Sequence, residues 1–308
     1  MNSKDHYLNS VCNLNVNRQG DRRAPHKPLL LLVAISKLHQ GERVIPFSDV
    51  ESILKPLLSA YAPPVKSRHQ PELPYWHLRN DMLWEIPGAS DIPRRQVGDF
   101  PQMAALRSSS GHLEEGFAKA LESDRKFLLK TVGILLDEHF PESLHSDILT
   151  AVGLNVRKQD TVADLPVVRQ NKRQRDSYFR QNVLRAYEHR CAVTGFRAAL
   201  GGQYLGCEAA HVRWHAYDGP DRVENGFAVE PTLHKLFDAG AWSLTDDRRI
   251  LVSSHLTGTD STVDRVRGLH GKPLTPPLAG EAEISVENIR WHRKRDLGGV
   301  FRRPALPL

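Results

Sequence analysis

Apolar residues in the first half of the chain recur at helical spacing. The stretch APHKPLLLLVAISKLHQGE, from Ala24, sets prolines at a helix start and Gly41 at its close, around a strongly apolar middle. A second helix is predicted from Phe47 to Tyr61, stopped by Pro63 and Pro64. Two short runs, Tyr75 to Leu78 and Met82 to Ile86, have strand character and flank Asn80 and Asp81, which predicts a small hairpin. Further helices are predicted over Leu113 to Leu121, Lys126 to His139 and Leu144 to Leu149. Periodicity is then lost from about Asn155 to Arg175, where Arg157, Lys158, Arg169, Lys172, Arg173 and Arg175 face only Asp160 and Asp164. Such a segment reads as a linker, either a solvated hinge or a basic connector laid along a phosphate backbone. Beyond it come a helix over Ser177 to Glu188, strands over Cys191 to Thr194 and Leu205 to Val212, a loop from His215 to Glu224, and a helix over Thr232 to Phe237.

This order predicts an α+β protein of two domains, since 308 residues are more than one ordinary core serves. Residues 1–154 form a mostly helical domain with the hairpin, 155–175 the basic linker, and 176–308 a domain whose central run is strand, loop, helix.

Charge adds a partner to this picture. A formal net charge of +6 attracts polyanions, of which nucleic acid is the commonest soluble one. Cys12, Cys191 and Cys207 are too few and scattered for a disulfide framework, which points to a reducing compartment, the cytoplasm. The longest apolar run, Pro28 to Ile35, is far short of the roughly 20 residues that span a bilayer, and the polar amino terminus is unlike a signal peptide, so no membrane role is expected. No internal repeat or low-complexity tract is visible.

Candidate chemistry gathers in CEAAHVRWHAYDGPDRVENGFAVEPTLHKLFDAG, Cys207 to Gly240. Phosphodiester hydrolysis needs an activated water, a cation for the charge building on the phosphate, and a group that holds the activator in place. His211 closes a predicted strand and has the proton affinity of a general base near neutral pH. Asn225 offers an amide that can fix the loop and the imidazole. His234 and Asp238 lie four apart on a predicted helix, on one side, suited to a divalent ion. Arg213 is either a phosphate contact or a surface charge beside Trp214, and the late run WHRKRD, Trp291 to Asp296, either adds phosphate contacts or solvates a terminus. For His189, His215, His255 and His270 the ordinary reading is a satisfied core histidine.

The His, Asn, His order, the glycine after Asn225 and the LHKLFD helix resemble the HNH nuclease motif over roughly Cys191 to Ser253. The resemblance implies a ββα fold around one metal, Mg2+ or Mn2+, with His211 as general base, Asn225 structural and His234 a metal ligand. Many HNH proteins carry an acidic ligand just before the first histidine, where this chain has Ala210, which leaves Glu208 or Asp238 to complete the metal shell. No paired CxxC motifs are present, so no structural zinc is expected. The segments HKPLLLL, His26 to Leu32, and LPYWHLRNDMLWE, Leu73 to Glu85, resemble the sulfur-binding domain of phosphorothioate-dependent type IV restriction enzymes over roughly residues 5–150. That resemblance implies a shallow apolar pocket for the sulfur that replaces a non-bridging phosphate oxygen. His26, Lys27, Pro74 and His77 match the recognition segments, Arg79 is a candidate phosphate contact, and Leu73 stands where a tyrosine is expected.

Together these imply a modification-dependent restriction endonuclease acting on double-stranded DNA. Its rivals are an HNH enzyme reading methylated or unmodified DNA, and a DNA-binding regulator with an inactive HNH relic. One motif must make two scissions, which implies a homodimer or sequential nicking.

Overall fold

The computed structural model describes residues 3–16, 18–19, 22–65, 68–96, 99–154, 167–294 and 299–307. The chain divides into two compact units, one of Met1–Arg18 with Arg23–Leu165, the other of Gln19–Arg22 with Pro166–Leu308. Among the described residues no helix is long and apolar enough to cross a membrane.

The first unit is built around helix α1, His26–His39, in which every residue from Leu29 to Ile35 is buried. A helix apolar on all sides must be surrounded, and here others pack on it. These include α2 (Phe47–Tyr61), α3 (Glu72–His77), α4 (Glu115–Ser123) and α5 (Arg125–His139). Glu114 and Asp124 cap α4 and α5 by accepting backbone N–H groups that a helix start leaves unpaired. Helix α6, His145–Ala151, follows.

Strand character at Tyr75–Leu78 is not realised. That run lies in α3 and in a 3-10 turn, Leu78–Asp81, closed by Met82 in the left-handed region. Asp81 explains the difference: its carboxylate accepts from Lys27 Nζ at 2.5 Å and from the Asn15 backbone N–H at 2.7 Å. These long-range anchors draw the segment into a tight helical turn and override the strand preference of its aromatics. The sheet of this unit instead has three strands, with β3 (Ser110–Leu113) between β1 (Ile45–Pro46) and β2 (Trp84–Glu85), in registers Ile45↔Gly111 and Trp84↔Leu113. Gly111 makes the pairing possible, because a Cβ there would lie 2.3 Å from Trp84 Cζ2.

The second unit begins with α7, Val167–Ala186, which starts before the expected Ser177. The basic stretch from Arg169 to Arg175 is therefore helical in backbone, and it lacks the proline and glycine that would break a helix. Residues 155–166 of the expected linker lie outside the described residues. Cys191–Thr194 is a turn rather than a strand. The run from Leu205 to Val212 is broken at Gly206, whose φ of +85° ends one hairpin and opens the next. The first hairpin pairs β4 (Ala198–Leu200) with β5 (Gln203–Leu205). The second pairs β6 (Glu208–His211) with β7 (Gly226–Val229), and α8 (Pro231–Asp238) follows directly, starting on a proline at a position whose N–H needs no partner. A further antiparallel pair, β8 (Trp242–Leu244) and β9 (Ile250–Val252), closes a core of Val183, Phe227, Phe237, Trp242 and Ile289. Helix α9, Val286–Arg293, buries Trp291 and His292, so these two residues neither contact phosphate nor solvate a terminus. Trp291 packs with Trp214 and Tyr217, and His292 stacks on Phe237 at 3.8 Å. Arg295 and Asp296 of that run lie outside the described residues.

Candidate functional site

His211 ends β6 opposite Gly226, the first residue of β7. Its Nε2 meets Asp221 Oδ1 at 2.9 Å, and its ring lies flat on Phe179 of α7 at 3.7 Å and 12°. Gly226 permits this: a Cβ there would come within 2.6 Å of Phe179 Cζ and 2.8 Å of Val183 Cγ2. The glycine of the motif thus keeps the aromatic platform of His211 in place. His215 adds a second imidazole, its Nδ1 3.6 Å from the same Asp221 oxygen, so it belongs to this cluster rather than to a core.

Asn225 is fully buried and uses both ends of its amide. Its Oδ1 accepts from the Arg213 N–H at 2.8 Å, and its Nδ2 donates to the carbonyls of Arg213 and Pro220 at 2.9 and 3.0 Å. Asn225 therefore pins the loop at both ends, while the imidazole is oriented by Asp221. Arg213 Nε donates to the Tyr217 carbonyl at 2.9 Å, which spends part of that side chain on the same loop.

His234, on α8, is held between two carboxylates. Its Nδ1 is 2.8 Å from Glu208 Oε2 on β6, and its Nε2 is 3.2 Å from Asp238 Oδ2 one turn along. Burial opposes a charge on this ring, but Asp238 and Glu208 outweigh it and push its pKa up to about 9. Asp238 is 2% exposed, and its Oδ1 accepts from Trp214 Nε1 at 3.1 Å. Imidazole and carboxylates are donors that suit a divalent cation. As folded they do not converge, because Glu208 and Asp238 address opposite nitrogens of one ring. Among the described residues no group of three or more His, Cys, Asp or Glu side chains is arranged to hold a metal. In this structure the two carboxylates take the two nitrogens of the His234 ring. Burial, with Cys191 and Glu230 near it, pushes the Cys207 thiol up to about 11, away from thiolate chemistry.

In the first unit the two recognition segments meet. Lys27 and Asp81 form a buried ion pair that ties the start of α1 to the end of the 73–81 turn. His26 Nε2 lies 3.4 Å from His69 Nδ1. Pro74 and Trp76 are buried, Leu73, His77 and Arg79 half-buried. The Arg79 guanidinium lies 3.7 Å over the Trp76 ring, and its Nε donates to the Trp76 carbonyl at 2.9 Å. His77 packs edge-on against Phe100 at 5.7 Å. Burial lowers the His77 pKa, opposed by Asp99 and reinforced by Lys27 and Arg79.

Asp221, His215 and Phe179 were not distinguished by sequence reasoning, nor were Asp81, Trp76 and Phe100. Asp221 is one of several acids in its loop, and Phe179 carries no signal beyond a helical apolar position.

Comparison with known proteins agrees with both halves of this description. Residues 4–157 match the family "ScoMcrA-like, DNA sulfur-binding domain", and residues 191–245 match "HNH endonuclease". Among solved structures, the sulfur binding domain of ScoMcrA complexed with phosphorothioated DNA is similar at 23% identity and a TM-score of 0.43, covering 51% of this chain and 98% of that one. The type IV phosphorothioation-dependent restriction endonuclease ScoMcrA is similar at 24% identity and a TM-score of 0.42, over 52% of this chain. This chain spans only 35% of that enzyme's length. The modification dependent TagI restriction endonuclease is similar at 26% identity and a TM-score of 0.28, over 38% of this chain and 36% of that one. No curated protein matches. The chain belongs to the ScoMcrA-like DNA sulfur-binding domain family, and it is a nuclease that joins this domain to an HNH endonuclease domain.

Proposed function

We propose that this protein is a modification-dependent restriction endonuclease that docks on phosphorothioated double-stranded DNA through its first unit and hydrolyses a phosphodiester bond nearby with its second. The observation that carries the cutting half is the His211 arrangement, a half-buried imidazole stacked on Phe179 with Asp221 at Nε2. With Asp221 ionised, Nε2 carries the proton and donates to it. Nδ1 is then the nitrogen that takes a proton from the attacking water, and Asp221 stabilises the imidazolium that forms. Asn225 holds the loop that carries Asp221. Nucleases of the HNH family generally use a divalent metal, and we assign Mg2+ or Mn2+ as the cation of this one.

The reading half is supported by the cluster of Pro74, Trp76, His77 and Arg79 beside α1. An apolar wall next to cations favours sulfur over oxygen, because sulfur is softer and less tightly hydrated. Arg79, held flat on Trp76, is the candidate phosphate contact, and His26 the polar group at the mouth. Lys27 acts through its field and through Asp81.

Two duplexes of identical sequence, one with a single stereodefined phosphorothioate, test both halves. Binding and Mg2+- or Mn2+-dependent cutting confined to the sulfur-bearing duplex is the expected result. Equal cutting of both would remove the sulfur reading and leave the nuclease; a preference for a methylated duplex would replace the mark.

A further inference from the structure

The hairpin of β4 and β5, Ala198–Leu205, is not used by the chemistry described above. Its register is Ala198↔Leu205, Ala199↔Tyr204 and Leu200↔Gln203, turned by Gly201 and Gly202 with φ of +57° and +79°. Strand side chains alternate between faces, yet both faces are solvated here: Leu200 is 75% exposed, Leu205 50% and Tyr204 45%. A two-stranded hairpin alone is marginal in water. This one is fixed through Tyr204, whose ring stacks on His189 at 4.5 Å and 16°, and whose hydroxyl accepts from Arg197 at 2.5 Å. A solvated element that carries large apolar side chains, with Leu200 at its turn, marks a contact surface.

Charge identifies the partner. Arg180 donates to the Cys207 carbonyl, Arg190 to the Gly195 carbonyl and Arg197 to Tyr204, all neutral oxygens. Among the described residues none of these three guanidiniums is ion-paired with a carboxylate. Arginines that, among the described residues, carry no carboxylate partner, at the base of a hairpin with exposed apolar side chains, suit a polyanion with apolar faces between its charges. Continuity points the same way, since Gly206 and Cys207 lead from Leu205 straight into β6, which ends at His211. A hairpin of this size offers less than the roughly 800 Å² per partner of a stable protein interface, whereas one or two apolar wedges with flanking arginines are enough for a groove.

We propose that this hairpin is a DNA-contacting element of the nuclease unit. Leu200 and its apolar neighbours press on sugar and base edges of the minor groove beside the scissile phosphate, and Arg180, Arg190 and Arg197 meet the flanking phosphates. The proposal rests on the nuclease reading and adds the surface that seats the duplex.

The test uses the full chain and duplexes carrying one 2-aminopurine at successive positions, with EDTA present so that the strands stay whole. Wild-type protein should raise the fluorescence at one or two adjacent positions. Leu200→Ser should abolish that rise and, with Mg2+ or Mn2+, lower duplex cutting about tenfold or more at unchanged melting temperature. Arg197→Ala should reduce the slope of log affinity against log salt by about one. Wild-type-like cutting and fluorescence by Leu200→Ser would overturn the proposal, as would a wild-type dimer that this substitution converts to monomer. A wild-type protein that brightens the probe but never cuts would overturn the nuclease reading and leave the hairpin proposal standing.

Discussion

A histidine that takes a proton from water must be held in one orientation and reachable. For His211 both conditions are supplied by its surroundings: Asp221 fixes one nitrogen, Phe179 fixes the plane, and the half-buried position leaves access. His211→Ala should lower cutting about 100-fold or more while binding of the sulfur-bearing duplex is retained, since a positioned base contributes roughly 10²–10⁴. Asp221→Ala should cost roughly tenfold or more, in kcat rather than KM, because the substituted residue orients the base and does not hold substrate. A matching loss in KM would make Asp221 a binding residue instead. His211, Asn225 and His234 are legible in the sequence by type and order. Asp221 is not, because Asp218, Asp221 and Glu224 look alike until the loop is closed by Asn225.

At the scale of elements, two small features hold the sites together. Gly226 lets α7 rest on the β6–β7 pair, so Gly226→Ala must displace Phe179 and Val183. The expected cost is about 1–3 kcal/mol in denaturant unfolding, the range of an overpacked core, together with reduced cutting as the platform under His211 moves. A variant of wild-type stability would show that the backbone absorbs the methyl group without moving the platform. In the first unit, the buried Lys27–Asp81 pair ties α1 to the 73–81 turn. Asp81→Ala leaves a buried ammonium without its carboxylate, and should destabilise that unit by about 3–5 kcal/mol and abolish recognition of the sulfur-bearing duplex. Retained recognition at wild-type stability would contradict this role. The same pair explains why the expected strand at Tyr75–Leu78 is a helix, and no local pattern announces it.

Across the whole second unit, stability should depend on pH through His292. This ring is fully buried, bonded to Ser243 at 2.8 Å and to the Phe237 carbonyl at 3.2 Å, and burial lowers its pKa to about 4 against the opposing pull of Asp238. The unfolded chain, with a pKa near 6.5, binds the proton more readily than the folded one between these values. Stability from this group is therefore complete above about 6.5 and falls by about 3 kcal/mol as pH drops towards 4. Urea unfolding of the protein and of His292→Phe at pH 7.5, 5.5 and 4.5 checks it: the wild type should lose midpoint faster than the variant, and parallel losses would assign the acid sensitivity elsewhere.

The sequence by itself determined the division into a helical half and an HNH half, the boundaries of Phe47–Tyr61, and the motif residues His211, Asn225 and His234. These follow from periodicity, proline stops and fixed spacing, all local properties of the chain. Tertiary structure alone decided that Asp221 and Phe179 flank His211, that Glu208 and Asp238 take opposite sides of His234, that Trp291 and His292 are core, and that Trp84 pairs with Leu113 rather than with its own neighbourhood. Each of these is a contact between residues far apart in the chain or a choice among equivalent ones, settled by which burial and ion pairing the closed fold permits.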